Sequence, residues 1–174
     1  LVGSEMCIRD RFKEALHWQH GLEFVCVAFQ NRVAHAMAGT TLHSAGDLAI
    51  GGHDHARKLE HADIDLVFCR NQYLRWIILD ECFMIPDELL GAFANHFEDA
   101  ARDTQYKTRL DKSLRPFGGY NVLLLGDMLQ LPPIPSSAAL FLPATEKKSR
   151  SAKEMLNLFW GTDVNSLNFF TELT

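Results

Sequence analysis

The chain has 174 residues, 47% hydrophobic and 22% charged, the balance of an ordinary globular protein of one domain or a large piece of one. No apolar stretch approaches the ~20 residues that a membrane-crossing helix needs, so no membrane partner is expected. A formal net charge of −5 argues against a broad polyanion-binding surface, because nonspecific DNA affinity rests on Lys and Arg neutralising phosphates. It leaves room for an ATPase whose DNA groove is shared with other parts of a longer protein.

Residues 1–11 resemble translated sequencing-adapter read-through. They are neither a secretory signal nor a transit peptide, since an apolar core is missing and acids are present. They are set aside as a non-native segment, and the natural sequence is expected to resume near Phe12. Phe12 to Gln19 reads as the tail of a helix, stopped at His20-Gly21. Glu23 to Phe29 is apolar and β-rich, an inner strand. Asn31 is placed to cap a short helix through Ala38, ended by Gly39. Thr40 to Ser44 reads as a polar turn, and Gly51 to His55 as loop. A helix over Ile64–Tyr73 and a strand over Leu74–Leu79 come next.

Pro86 suits a first helical position, with Asp87 and Glu88 favourable in the first turn. Leu89, Leu90, Phe93, Phe97, Ala100 and Ala101 then recur at helical spacing and predict a helix that covers the sheet. Asp103 to Pro116 is charged and reads as an exposed loop, and Tyr120 to Leu125 as a third strand. Pro132, Pro133 and Pro135 exclude a helix directly after it. Ser136 to Ser151 is loose, and Ala152 to Trp160 is a short helix. Strands alternate with helices, the α/β pattern. The four cysteines show no Cys-x-x-Cys spacing, and reduced, buried thiols in a reducing compartment are expected.

Two apolar runs end in acid. Ile77-Ile78-Leu79 leads into Asp80-Glu81, and Val122-Leu123-Leu124-Leu125-Gly126 leads into Asp127, with Gln130-Leu131-Pro132-Pro133 beyond. An unbroken apolar run is the habit of a strand in a covered parallel sheet. A carboxylate at its end lies at the sheet's carboxyl edge, where α/β folds bind ligands. Paired acids there suit metal-dependent phosphoryl transfer: one holds Mg²⁺ through water, and the other orients an attacking water. Because successive strand residues point to opposite faces, the pair can share such work only where the strand breaks into a turn. Gly126 permits a tight exit from its strand, and the prolines stiffen the chain beyond Gln130. Asp127 and Gln130 are thereby expected beside the first acid pair, where a glutamine amide could donate to a terminal phosphate.

Leu79-Asp80-Glu81-Cys82-Phe83-Met84 resembles the Walker B motif of the petite-integration-frequency (Pif-type) DNA helicases, relatives of the RecD helicases in superfamily one. Phe117 to Pro133 resembles that family's motif III, and Ala38-Gly39-Thr40-Thr41-Leu42-His43-Ser44 its element lying along single-stranded DNA. Trp160 with Phe170 to Thr174 is similar to the run into the next motif. The resemblance covers nearly everything from residue 13 to 174. It implies a parallel-sheet, RecA-like P-loop NTPase fold, with 12–174 as a partial first motor domain. It also implies an ATP-dependent DNA helicase as the parent enzyme, with ATP and Mg²⁺ as cofactors and single-stranded DNA and DNA junctions as partners. Residence in the nucleus or mitochondrion if the source is eukaryotic, and otherwise an intracellular, unsecreted place, goes with it, as does a monomeric state.

Residue by residue, the resemblance implies that Asp80 coordinates Mg²⁺, Glu81 polarises the attacking water, Gln130 senses the γ-phosphate and Asp127 supports it. Thr41, His43 and Ser44 would touch the DNA. Two segments depart from the family. Val27 to Ala34 replaces a stretch that usually carries Thr-Gly and paired alanines, and Cys82-Phe83 replaces Ile-Ser. No Gly-Lys-Ser or Gly-Lys-Thr occurs, so the phosphate-loop strand and helix are missing, and the fragment alone is expected to be inactive.

Two other function classes compete: a non-catalytic α/β interaction module derived from a helicase, and a P-loop ATPase not acting on nucleic acid. The Thr-Leu-His-Ser element favours the helicase over the second. His53, His55 and His61, with His43 nearby, could suggest zinc, but no further ligand stands at a familiar spacing, and loop histidines are expected. Phe93, Phe97, Phe159 and Trp160 are expected in the core, and Lys147 to Arg150 as a solvated loop.

Overall fold

The computed structural model describes residues 4–49, 60–101, 107–140 and 150–160. Its centre is a four-stranded, wholly parallel sheet in the order β2-β1-β3-β4. The strands are β1 (Phe24–Ala28), β2 (Thr40–Thr41), β3 (Trp76–Asp80) and β4 (Asn121–Leu124). Val27 pairs with Thr40 on one side and Leu79 on the other, and Leu79 pairs with Leu124. The chain moves outward from β1 to β2, then crosses back over β1 to β3 and continues to β4. The direction of winding therefore reverses between β1 and β3, and the crevice at their carboxyl ends is the place where such sheets take ligands.

Alternation along the strands sends side chains to two faces. On one face Phe24, Cys26, Ala28 and Ile78 pack with Ala34 and Met37 of α2 (Asn31–Ala36) and its C-terminal turn. Ile8 and Phe12 of α1 (Ser4–Leu16) join them. On the other face Val27, Ile77 and Leu79 meet α3 (Leu42–Gly46), α5 (Asp87–Ala100) and α6 (Arg150–Trp160). α4 (His61–Asn71) lies beside α5. This larger core includes Phe93 and Phe97, whose ring centroids are 4.7 Å apart, and Met155, Leu156 and Phe159. Replacing a ring such as Phe93 by alanine would cost about 3–5 kcal/mol.

The expected strands and the α5 helix are present, and several boundaries differ. Asn31 does not cap α2. Gln30 holds the cap position, in extended geometry and with no side-chain bond, and Asn31 is already helical. The helix ends at Ala36 rather than Ala38, and Ala38 takes a positive φ of 53°. Thr40 to Ser44 is not a turn but β2 followed by the start of α3. α4 begins at His61, earlier than Ile64, because Glu60 and Asp63 exchange the reciprocal bonds of a capping box. Pro86 sits just before α5, not in its first turn.

α1 runs through part of the 1–11 segment, and the Arg9 guanidinium donates to the Met37 carbonyl at 3.1 Å. Cys26 and Cys82 are buried free thiols, as expected, whereas Cys69 is exposed. Trp160 is 43% exposed rather than part of the core, its indole N–H donating to the Leu140 carbonyl at 2.7 Å. The described part of the 103–116 loop holds a short bridge between Thr108 and Leu114. Among the described residues no helix is long and apolar enough to cross a membrane.

Candidate functional site

Asp80 is the last residue of β3 and pairs in register with Ala28, so it stands at the carboxyl edge beside the winding reversal. It is buried, and its Oδ1 accepts the Glu81 backbone N–H at 2.8 Å. Glu81 breaks the strand by adopting left-handed geometry, φ 53° and ψ 38°. That break is what lets two neighbouring carboxylates leave the strict up-and-down alternation of a strand. Oε2 of Glu81 is buried. A short 3₁₀ turn over Cys82–Met84 then leads through Pro86 into α5.

The neighbouring strand exit is locked to this turn. Leu125 N–H donates to the Leu79 carbonyl at 2.8 Å, and Cys82 N–H donates to the Leu125 carbonyl at 2.9 Å. Gly126 is required at this crossing: a Cβ there would stand 2.9 Å from the Phe83 ring and 3.0 Å from Cys82 Sγ. Burial, with the Asp80 charge adding to it, pushes the Cys82 thiol up to about 12, so it stays protonated and serves as a neutral spacer. Burial likewise pushes Cys26 up to about 11.

Asp127 comes directly after and is exposed. Its Oδ1 accepts Leu129 N–H at 2.8 Å and its carbonyl accepts Gln130 N–H at 3.2 Å, a tight turn that ties Gln130, also exposed, to Asp127.

The third group leaves β2. Thr41 caps α3, its Oγ1 accepting Ser44 N–H at 3.2 Å. His43 is half-buried, its ring 6.1 Å from that of Phe29, and Ser44 is exposed. Thr41 therefore has a structural task of its own, and His43 and Ser44 are displayed by a five-residue helix rather than a loose turn.

Asp80 and Glu81 thus stand at the carboxyl end of β3, Asp127 and Gln130 in the chain that leaves the adjoining β4, and Thr41, His43 and Ser44 at the carboxyl end of β2, across β1. His53 and His55 lie outside the described residues, and His61 opens α4. Two contacts escaped sequence reasoning. Gln30 Nε2 lies 3.8 Å from Met84 Sδ, spanning the β1–β3 crevice. His96 reaches Gly46 from the buried face of α5. Its spacing from Phe93 was the available signal for the second; nothing local announces the first.

A family model described as PIF1-like helicase matches residues 23–160, most of the chain. The chain belongs to the PIF1-like helicase family. It is similar to the ATP-dependent DNA helicase RRM3 of Saccharomyces cerevisiae, 31% identical over 118 residues, covering 66% of this chain and 15% of that protein. The crystal structure of the Candida albicans Pif1 helicase aligns with 88% of the chain and 32% of its own length, at 25% identity and a TM-score of 0.58. A Bacteroides sp Pif1 structure in complex with ADP-AlF4 aligns with 92% of the chain and 31% of its own length, at 19% identity and a TM-score of 0.53. The PIF1-like fold is therefore present in part: a parallel α/β layer matching RecA-like domains, within a chain that spans about 15% of the yeast relative's length.

Proposed function

We propose that the chain is the hydrolytic part of the first motor domain of an ATP-dependent DNA helicase, one that couples ATP hydrolysis to travel on single-stranded DNA and to duplex unwinding. The observation that carries this reading is the shared carboxyl edge of adjoining parallel strands, with the Asp80-Glu81 break and the Asp127-Gln130 turn tied together by the Cys82–Leu125 bond. Family membership supports it, as does the relative named an ATP-dependent DNA helicase. Residues 1–11 are, in this reading, a non-native segment ahead of the partial motor domain at 12–174. Genomic sequence across the junction before Phe12 tests that division.

The donor chemistry fits Mg²⁺, a hard ion usually held by one or two carboxylates together with waters and substrate phosphates. Among the described residues no group of three or more His, Cys, Asp or Glu forms a cage for a metal. Asp80 would hold the ion through water, and when bound it neutralises charge on the phosphates being transferred. Glu81, its backbone turned out of the strand, would orient the attacking water and take its proton. The Gln130 amide would donate to the γ-phosphate of ATP, its position kept by the Asp127 turn. Thr41, His43 and Ser44 would contact single-stranded DNA, or a DNA junction, at the far side of the same edge. Nuclear or mitochondrial residence belongs to the same reading.

In the full-length protein, Glu81→Gln is expected to lower DNA-stimulated ATP hydrolysis by roughly 100-fold or more, with ATP binding retained. Undiminished hydrolysis in that variant sinks the assignment. The 174-residue chain by itself, without a phosphate loop, is expected to hydrolyse no ATP; turnover that Glu81→Gln abolishes would show that it does.

A further inference from the structure

We propose that His96 is a positioning residue, a buried strut from α5 that holds α3 and so fixes the groups assigned to single-stranded DNA. Its consequence for DNA rests on the proposed helicase function; its geometry does not. α5 buries Leu89, Phe93, Phe97 and Ala100, and His96 lies on that same covered side at 5% exposure. An imidazole there is costly unless it is hydrogen-bonded. Its Nδ1 lies 2.6 Å from the Gly46 carbonyl oxygen, across 50 residues of sequence. A carbonyl can only accept, so Nδ1 carries the hydrogen and donates it.

Gly46 is the last residue of α3, where carbonyls lack partners within the helix. At five residues α3 is too short to persist on its own bonds. Thr41 closes its first end, and His96 holds its last. The contact is close: a Cβ on Gly46 would stand 2.6 Å from the Phe93 ring, so only glycine lets α3 press onto α5 here. Asp47, left-handed at φ 52°, then turns the chain away, and Leu48 N–H returns to the His43 carbonyl at 2.9 Å. α5 itself starts a few residues after Glu81. One helix therefore carries both the element assigned to DNA and the turn bearing the hydrolytic carboxylates.

The test compares His96→Val and His96→Asn in the 174-residue chain. An asparagine amide can donate from near the Nδ1 position, whereas valine cannot. By hydrogen exchange, the Ser44 and Leu48 amides should exchange about tenfold faster in His96→Val and return toward wild type in His96→Asn. The Cys82 and Leu125 amides should stay equally slow in all three. Unchanged α3 exchange in a folded His96→Val, or equal loosening everywhere, overturns the strut. Should His96→Val not fold, His96→Asn decides alone: protected Ser44 and Leu48 support the donor role, and exposed ones in a folded protein overturn it. Fluorescence anisotropy with an oligothymidine, measured on the same substitutions in the full-length protein, supplies the second arm. Affinity about tenfold weaker in His96→Val and restored in His96→Asn is expected. Equal affinity despite a loosened α3 overturns the positioning role. Absence of binding by the wild type counts against the DNA reading, and the exchange result then judges the strut.

Discussion

Glu81 stands in the left-handed region, at φ 53°, where a side chain costs about 1–2 kcal/mol relative to ordinary backbone. Such strain gathers at working sites because the geometry is worth more than the stability lost. Glycine relieves it but also loosens the unfolded chain, by about 0.4–1 kcal/mol. Glu81→Gly is therefore expected to unfold in urea at no lower a midpoint than wild type, while hydrolysis in the full-length protein is lost. A clearly lowered midpoint would mean that the carboxylate itself holds the turn. His20 shows a second cost of position. Its Nε2 accepts the Cys26 N–H at 3.2 Å, which requires that nitrogen to be unprotonated. Burial first, then the charges of Lys13 and Arg9, hold its pKa below the ordinary 6.5. The unfolded chain therefore takes up this proton before the folded one. His20's contribution is whole above pH 6.5 and drains away as pH falls through the lower folded value. Urea midpoints should decline from about pH 7 toward about pH 5, and His20→Gln, whose amide oxygen can accept in place of Nε2, should flatten that decline. An identical decline in the variant would assign it to other groups.

Elements that announce themselves in the sequence are those whose burial is repeated along the chain. Ile77, Ile78 and Leu79 are fully buried, and the α5 apolar positions recur at three and four residues, so β3 and α5 are legible without coordinates. β2 is not legible, because two threonines become a strand only through pairing with Val27 and Ala28, a contact no local window contains. α3 escapes for the same reason: five residues hold barely one helical turn, and their order comes from the Thr41 cap and from α5. Asn31 misled because cap preference is strong for asparagine, while the backbone turns helical one residue earlier than that preference suggests. The cap at Thr41 can be separated from any role in DNA contact. Thr41→Ala should cost about 1 kcal/mol, read as faster exchange at Ser44, whereas Thr41→Ser keeps an oxygen for that amide and should exchange as wild type does. If the two variants exchange alike, the hydroxyl is not what orders α3.

At the scale of the molecule, the two acid-tipped strands were expected side by side, but the place of β2 beyond β1 was not legible, since strand order is set by pairing between distant segments. The order β2-β1-β3-β4 places the two acid-tipped strands side by side and leaves β4 at an edge of the described sheet. Its outer side is unlike a finished surface: Val122, Leu123 and Leu124 are only half-buried, and Leu129, Leu131 and Ile134 beyond it are 95%, 78% and 94% exposed. An open strand edge with apolar flanks is a place for another strand. The hydrogen bonds say which amides would receive it. Asn121 N–H donates to the Arg75 carbonyl at 3.1 Å and Leu125 N–H to that of Leu79 at 2.8 Å, both toward β3. Amides alternate along a strand, so those of Val122 and Leu124 point away from β3 toward the open side. In the 174-residue chain these two should exchange quickly while Leu125 exchanges slowly. A longer chain that adds a phosphate-loop strand at this edge should slow both and should hydrolyse ATP. Slow exchange at Val122 and Leu124 in the chain as it stands, with sedimentation at twice its mass, would mean instead that two copies have paired through this edge.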